Sequence, residues 1–270
     1  MVDRLAVLLD RFRITADVDA GPGEVGSHDD GALWLVAAGA LRLAAQSQPM
    51  AGPGLLLVPQ RILADEVITE PGARVLAARL RLEGGADNPL VRALPAVLWL
   101  PADAVPGSAG LFALVFEEAF DGRCGRTVLL DRLIEALLVQ VLRQQMESGG
   151  LRGGLLAGMA HPRLRRALVA LHQAPARGWT LASMAQAAGM SRSAFAQSFR
   201  EALGQTPGQY LQDWRIALAQ RALRRGRPLK VIADEVGYGS EAALSRAFKA
   251  RSGLSPRAWR QATGLLDMAA

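Results

Sequence analysis

Short apolar runs alternate with turn signals along the first part of the chain, a pattern that predicts β-strands. Glycine and proline separate the runs, as at Gly39 and at Pro71-Gly72. We therefore expect a small antiparallel sheet or barrel here. Its strands would be Ala32 to Val36, Leu41 to Ala44, Leu55 to Val58, Glu66 to Thr69 and Val75 to Leu82.

The last of these runs alternates between two faces. The odd-numbered residues from Val75 to Arg81 would share one face, and the even-numbered residues from Leu76 to Leu82 would share the other. Because Arg79 and Arg81 both fall on the odd face, the pattern predicts a strand with one side in water.

A helical pattern replaces the alternation from Ala109 onward. After a break at 121–125, the helix from Val128 to Met146 carries a long apolar stripe. This helix would form a dimer seam or pack against its own barrel, and the sequence leaves both open. Four glycines then indicate a flexible joint: Gly149, Gly150, Gly153 and Gly154.

Helices account for almost all of the remaining chain. An entry helix is expected from Arg163 to Gln173, and the next from Leu181 to Ala188, with Thr180 as its N-cap and Gly189 ending it. Ser191 then caps a helix that reaches about Leu203. A longer helix from Pro207 to about Arg225 would connect this segment to a second one beginning at Pro228, whose last helix starts at Ser240.

The two helical segments are copies of each other. Leu181, Ala185 and Gly189 recur forty-eight positions on as Leu229, Ala233 and Gly237. At an offset of forty-nine, four further residues recur unchanged: Ser191, Phe199, Gly204 and Pro207 return as Ser240, Phe248, Gly253 and Pro256. Each copy has an apolar helix, a tight turn containing glycine and a second helix opened by serine, which is the pattern of a helix-turn-helix unit.

Charge divides the chain in the same place. From His161 to the end there are 17 Lys and Arg against 6 Asp and Glu, whereas the residues before it have 14 against 19. A basic region beside a mildly acidic one is typical of a polyanion-binding domain joined to a domain of another kind. We therefore expect double-stranded DNA as a partner.

Composition favours a cytoplasmic, nucleoid-associated protein. The single Cys124 excludes an internal disulfide, which suits a reducing compartment. The apolar run from Leu5 to Leu9 is short and flanked by charges, so it does not resemble a signal peptide. No apolar stretch reaches the roughly 18 residues that a membrane helix requires, so we expect no membrane partner.

A helical wheel identifies the residues that would contact DNA. With Phe195 and Phe199 directed inward, the opposite face of the first recognition helix, about 191–203, is exposed; in the second, about 240–251, Leu244 and Phe248 point inward. We expect base readers at Ser193, Ala196, Gln197, Glu241, Ala242 and Arg246, with Gln197 and Arg246 foremost because glutamine pairs with adenine and arginine with guanine. Phosphate contacts are expected from Ser191, Arg192, Arg200, Ser240, Ser245 and Lys249.

These residues resemble the DNA-binding domain of the AraC/XylS family of bacterial regulators. The similarity runs from Trp179 to Arg260 and includes LASMAQAAGMSRSAFAQSFREALGQTPGQYL and IADEVGYGSEAALSRAFKARSGLSPRAWR. It implies two recognition helices that a connecting helix holds on one face and that enter successive major grooves. A weaker resemblance, at Leu94 to Pro101 and Asp131 to Leu133, implies a cupin-like N-terminal domain.

The expected fold is a two-domain α+β protein. Residues 1–150 would form a small cupin-like β-barrel with C-terminal helices for regulation and dimerisation, 151–160 a linker, and 161–270 an all-α domain of two helix-turn-helix units joined by a linker helix. His28 is the only histidine in the first domain, and the segment from Pro59 to Ala64 lacks the histidine that such barrels often carry there. We therefore expect no metal, no cofactor and no catalytic residue.

Four further features have an ordinary interpretation as well as a functional one. Gly21, Gly23 and Gly26 match a dinucleotide fingerprint, but Pro22 lies inside it and favours a loop. Cys124, between two arginines, is either an oxidation sensor or a loop residue. His161 is expected to start a helix, and His172 to lie on a helix surface. Arg163, Arg165 and Arg166 would contact phosphate or face solvent.

The sequence therefore predicts a sequence-specific DNA-binding transcription regulator, and not an enzyme. We expect a homodimer, contact with RNA polymerase, and room for a small-molecule effector whose identity the sequence does not give. Two alternatives stay open at this point. One is a barrel enzyme fused to a DNA-targeting module, and the other is a nucleoid protein that binds DNA without sequence preference.

Overall fold

The chain forms two compact units, seen in a computed structural model that describes residues 3–18, 31–45, 48–60, 66–121, 123–148 and 153–267. Phe12–Gly150 make up one, which we call the sheet unit. The other, the helical unit, combines Leu151–Ala270 with Met1–Arg11 at the other end of the chain.

In the described part of the sheet unit, eight strands form two antiparallel sheets. They are β1 (Ile14–Val18), β2 (Gly31–Ala38), β3 (Ala40–Leu43), β4 (Met50–Ala51), β5 (Gly54–Val58), β6 (Val67–Thr69), β7 (Arg74–Leu82) and β8 (Leu98–Pro101). One sheet has the order β1-β7-β2-β5-β8 and the other β4-β3-β6. Within the described residues the two sheets do not close into a barrel. All five predicted strands are present, while β1, β4 and β8 lacked a clear alternating pattern.

Apolar side chains from both sheets form one core cluster. Trp34 and Val36 of β2 meet Leu41 of β3 and Leu56 of β5 there. Trp99 of β8 packs against this cluster and lies so close to Gly54 that a Cβ there would come within 2.5 Å of the indole ring. In the register between β5 and β8, Leu56 lies opposite Trp99, which brings the indole ring close to Gly54 two residues away.

The prediction of one wet side for β7 is wrong. From Val75 to Ala78 consecutive residues are buried on both faces, and Arg79 is half-buried, so that Arg81 is the exposed member of the supposed wet face. The reason is that other strands cover the odd face: Val75 and Ala77 belong to the apolar core cluster with residues of β2, β3 and β5. Arg81 stays exposed near the strand end, where it pairs with Asp17 of β1 at 2.7 Å.

The described residues of the sheet unit also form three α-helices: α2 (Pro89–Ala93), α3 (Ala109–Asp121) and α4 (Arg126–Glu147). The apolar stripe of α4 is buried from Leu130 to Leu142, and α4 packs along α3 and β1. Asp131 accepts a hydrogen bond from the backbone N–H of Val18 at 3.1 Å, which anchors the helix to β1. The stripe of α4 thus packs within its own unit, whereas Val128 and Leu129 at its start are exposed.

The helical unit contains nine described helices. They are α1 (Arg4–Leu9), α5 (Leu155–Ala160), α6 (Leu164–Gln173), α7 (Leu181–Ala188), α8 (Arg192–Leu203), α9 (Pro207–Arg224), α10 (Leu229–Val236), α11 (Glu241–Ser252) and α12 (Pro256–Asp267). The predicted helices from 163 onward agree with these bounds to within one residue where a bound was given. His161 lies between α5 and α6, and its Nδ1 accepts from the N–H groups of Arg163 and Leu164 at the start of α6.

His172 lies in the core, and the prediction that it is a helix-surface residue is wrong. Its side chain is 0% exposed, stacks on Trp214 with ring centroids 3.8 Å apart, and shares a 2.6 Å hydrogen bond between Nε2 and the Tyr210 hydroxyl. Burial, with a smaller contribution from Arg11, lowers the pKa of His172 to about 3. The imidazole is therefore a neutral part of the α6–α9 contact at physiological pH.

The first helix belongs to the helical unit, although the sequence placed it in the domain of residues 1–150. Leu5 and Leu8 are buried, α1 packs on α6, and the guanidinium of Arg4 donates to the carbonyl of Met159 at 2.8 Å. The Asp3 carboxylate caps α1 by accepting from the N–H of Ala6. Residues at the start of the chain thus complete the core around α6.

Several predicted features lie outside the described residues. These are the glycine loop at Gly21, Gly23 and Gly26, His28, the segment 61–64 and the first two glycines of the predicted joint, Gly149 and Gly150.

Leu8→Ala should destabilise the helical unit by about 2–5 kcal/mol, because it leaves a cavity beneath α1. Hydrogen exchange measured by mass spectrometry should show faster exchange in α6 than in the unmodified chain, with β2 and β7 unchanged. Val7→Ala, at a half-exposed position of α1, is the matched control and should have a smaller effect. Unchanged protection in α6 for Leu8→Ala would contradict this role of α1.

The buried His172 should make stability fall at low pH. Its folded pKa of about 3 is below the unfolded value of 6.5, so the unfolded chain binds the extra proton between these values and stability is lost as the pH falls through that window. The contribution approaches about 1.4 kcal/mol per pH unit. His172→Gln keeps a group able to bond Tyr210 and does not titrate, so denaturant melts at several pH values should show a shallower slope. An equal slope in both proteins would refute the assignment.

Candidate DNA-binding surface

In each copy of the repeat, a glycine ends the first helix and a serine caps the second. In the first, α7 ends at Gly189 with φ 66° and α8 begins after Ser191, whose hydroxyl accepts from the N–H of Ala194. In the second, α10 ends at Gly237 with φ 85° and α11 begins after Ser240, whose hydroxyl accepts from the N–H of Ala243. Both turns require a left-handed residue, which glycine adopts without a steric penalty. The local sequence therefore sets the angle at which α8 and α11 leave their turns.

The inner faces of α8 and α11 are anchored by aromatic and aliphatic residues. Phe195 and Phe199 of α8 are 0% exposed, as are Leu244 and Phe248 of α11. Phe199 packs edge-on against Tyr210 with ring centroids 5.5 Å apart, and Phe248 packs edge-on against Trp259 with ring centroids 5.7 Å apart. These contacts fix which face of each helix points to solvent.

The sequence-predicted residues lie on the outer faces. Five on α8 or at its cap are exposed and Ala196 is half-buried: the exposed ones are Ser191, Arg192, Ser193, Gln197 and Arg200. Five on α11 or at its cap are exposed and Ser245 is half-buried: the exposed ones are Ser240, Glu241, Ala242, Arg246 and Lys249. Each set forms a continuous polar face opposite the buried residues.

Some of these side chains already have partners. The hydroxyls of Ser191 and Ser240 cap their helices, so a phosphate contact would have to share a group already used by the backbone. Gln197 donates through Nε2 to Glu201 at 3.0 Å, one turn further along α8. A two-pronged base contact by Gln197 would therefore use its Oε1 and its second N–H, which the hydrogen bond to Glu201 does not occupy.

Ion pairs within the second copy hold α11 and α10 to their neighbours. Arg251 of α11 pairs with Asp213 of α9. Arg227 makes a two-pronged contact with Glu235 of α10, with both N–O distances at 2.6 Å. Both arginines are thus engaged inside the protein, in contrast to Arg246 on the outer face.

Arg215 of α9 connects the two copies, a role that the sequence did not reveal. Its Nε donates to the carbonyl of Pro175 at 2.9 Å and its Nη2 to that of Arg177 at 3.1 Å, both in the loop before α7. Its guanidinium also lies 5.7 Å from the ring centroid of Tyr238, in the turn of the second copy. Burial lowers the pKa of Arg215 and raises that of Tyr238 relative to their ordinary values.

The remaining features considered in the sequence are metal ligands, Cys124 and three arginines near α6. The described residues contain no cluster of three or more His, Cys, Asp or Glu able to hold a metal ion. Cys124 is exposed, and the guanidinium of neighbouring Arg123 is engaged by Glu117, Glu118 and Asp121. Arg163, Arg165 and Arg166 are exposed on or just before α6.

None of the helices described is both long and apolar enough to cross a membrane.

Two family models match the chain. The helix-turn-helix domain model matches residues 184–262, and the cupin model matches residues 3–147. An AraC-like transcription regulator from Streptomyces antibioticus is 41% identical over 180 residues, which cover 65% of this chain and 59% of that protein. The transcriptional regulator AlkR from Acinetobacter baylyi is 32% identical over 192 residues, covering 69% of this chain and 63% of AlkR. The matches thus span about three fifths of each relative.

Solved structures give weaker similarities. The DNA-binding domain of AdpA in complex with a target DNA is 29% identical and covers 38% of this chain and 93% of that domain, with a TM-score of 0.36. Fatty-acid-bound ToxT from Vibrio cholerae is 13% identical and covers 92% of this chain and 94% of ToxT, with a TM-score of 0.42.

The family models and the relatives confirm the resemblance that the repeated segments indicated. The cupin model covers more than half of the chain, which therefore belongs to the cupin family, and an AraC-type helix-turn-helix domain follows the cupin domain in the same chain.

Proposed function

We propose that this protein is a transcription regulator that binds specific DNA sequences by inserting α8 and α11 into the major groove. The observation that carries the proposal is the pair of exposed polar faces, held by identical serine caps, glycine turns and buried phenylalanines in two copies. An α-helix fits the major groove, and two helices from one domain suit successive turns of one DNA face.

The composition of each face suggests its role in DNA recognition. Gln197 and Arg246 each carry a side chain able to make two hydrogen bonds to one base, to adenine and guanine respectively. Ser193, Ala196, Glu241 and Ala242 are the shorter or flanking members of the same faces and complete the proposed base contacts. Arg192, Arg200 and Lys249, with Ser191, Ser240 and Ser245, would set the register through phosphates.

The sheet unit would provide regulation. Its core between the two sheets is apolar, so an effector that entered it would need a mainly apolar body. We further propose a homodimer, contact with RNA polymerase and a cytoplasmic, nucleoid-associated location, which suit a bacterial regulator that acts near promoters. Analytical ultracentrifugation of the full chain checks the dimer directly.

Selection from a random DNA pool tests the proposal as a whole. At near-physiological salt, the full chain should enrich a motif with two half-sites about one helical turn apart, and should bind it about 10³-fold or more tighter than random DNA. Tight binding without enrichment, with a steep dependence on salt, would identify a nucleoid protein without sequence preference instead.

Arg246→Ala should relax the choice at one base position. Loss of a two-pronged contact to guanine costs about 1–3 kcal/mol at that position, whereas binding to random DNA should change little. Titrations of the selected site, single-base variants and random DNA measure this difference. Arg257→Ala, an exposed arginine on α12, is the control and should leave base choice unchanged. Equal losses on specific and random DNA for Arg246→Ala would exclude base contact.

Lys249→Ala and Arg200→Ala should weaken binding to all DNA similarly. A lost phosphate contact reduces the slope of log affinity against log salt by about 0.9 for B-DNA. Titrations of specific and random DNA at four salt concentrations give this slope. A change confined to one base position, with the salt slope intact, would mean that the residue contacts a base instead.

A further inference from the structure

The loop before α7 meets the turn of the second copy at close range. A Cβ added to Gly237 would come within 2.6 Å of the Ala176 Cα and 2.8 Å of its carbonyl oxygen. These atoms are backbone, so they have little freedom to move aside. The two copies are therefore in direct contact at this point, in addition to their shared helix α9.

Arg215 lies at the same junction. Its guanidinium donates to two carbonyls of the loop, Pro175 and Arg177, and its Nη2 would lie 2.8 Å from a Cβ on Gly237. A planar guanidinium holds two acceptors in fixed directions, which a single ammonium group does not. We call this set of contacts, between Arg215, Pro175, Arg177 and the Ala176–Gly237 approach, the Arg215 bridge.

Contacts within the loop before α7 hold the conformation in which it meets Arg215. The indole N–H of Trp179 donates to the carbonyl of Ala174 at 2.9 Å, and the guanidinium of Arg177 lies 4.5 Å from the Trp179 ring centroid. The loop leads directly to Thr180, which caps α7 through a reciprocal pair of hydrogen bonds with Ser183. A displacement at Pro175 or Arg177 is therefore transmitted to the first helix-turn-helix unit.

We infer that Arg215 is a positioning residue that fixes the distance and rotation between the two recognition helices, and thereby the spacing between the two half-sites that the protein accepts on DNA. The inference rests on the proposed DNA-binding function. The role assigned to Arg215 acts through the protein, since its Nε and Nη2 donate to loop carbonyls.

Spacing on DNA is a sensitive measure of this geometry. One inserted base pair moves a half-site by about 3.4 Å and turns it by roughly 35° about the helix axis. A rigid pair of recognition helices cannot follow both changes and would lose the contacts of one helix. A pair joined by α9 alone has more freedom to adjust.

The first experiment measures this geometry without DNA. Gln186→Cys on α7 and Asp234→Cys on α10 lie at exposed, equivalent positions of the two copies, and Cys124→Ser removes the native thiol. Spin labels on these sites of the full chain, mixed with an excess of unlabelled chain so that only distances within one chain are measured, should give one narrow distance distribution by pulsed electron paramagnetic resonance. Arg215→Gln should broaden or shift it, and Arg215→Lys should fall between the two. Identical distributions for all three would overturn the inference.

The matched control is Arg227→Gln. It also removes an arginine with two internal hydrogen bonds, but its partner Glu235 lies in the same copy of the repeat. It should leave the distance distribution unchanged. If Arg227→Gln broadened the distribution as much as Arg215→Gln, general loosening of the helical unit would be the cause and the positioning role would be wrong.

The second experiment uses the selected site with and without one inserted base pair between its halves. The unmodified full chain should lose about 30-fold or more in affinity on insertion, and Arg215→Gln less than about 5-fold. The salt slope should stay the same, since no phosphate contact is lost. An undiminished insertion penalty, or a slope reduced by about 0.9, would refute the positioning role. If the unmodified chain selected no motif, the proposed function would be wrong. The spin-label distances would still decide whether Arg215 fixes the placement of the two copies.

Discussion

The helical unit depends on α9 serving as one wall of both helix-turn-helix cores. Near its start, Tyr210 packs edge-on against Phe199 of α8, and Trp214 stacks on His172 of α6. Further along, α9 contacts α10, α11 and α12, and the guanidinium of Arg224 near its end lies 4.7 Å from the Trp259 ring centroid. Neither repeat has an independent core, so stabilising one also constrains the other. This is why contacts at the edges of α9, such as that of Arg215, bear on the relative placement of α8 and α11.

Arginine has two distinct uses in this unit. Arg215, Arg227 and Arg251 direct their guanidinium groups to carbonyls or carboxylates of the protein. Arg192, Arg200 and Arg246 lie on the exposed faces of the recognition helices. The net positive charge of this half of the chain therefore overstates the number of cations free for DNA. The exposed faces of α8 and α11 differ from the face of an ordinary solvated helix because the same cap, turn and buried residues hold both of them.

The sequence predicted well what local patterns determine. Glycine at positive φ, serine at an N-cap and inward phenylalanine are requirements within a few residues of each other, so the bounds of α7, α8 and α11 followed from them. Predictions failed where distant contacts decide. His172 became a core residue because α9 supplies Tyr210 and Trp214, thirty-eight residues or more away. β7 lost its wet side because residues of β2, β3 and β5 join Val75 and Ala77 in one core cluster. Arg215 and α1 were missed for the same reason, since their partners are remote in sequence.

The two recognition faces differ in a way that bears on how they would divide the reading of DNA. The first offers neutral groups, Ser193 and Gln197, while the second offers Glu241 and Arg246. Glutamine suits adenine, arginine suits guanine, and glutamate accepts from the amino group of cytosine. A charged side chain also costs more to desolvate when its base is wrong, so mismatches should be penalised more in the half-site of α11. With the spacing fixed by the protein, α11 would anchor the complex and α8 would contribute the more tolerant half of the recognition.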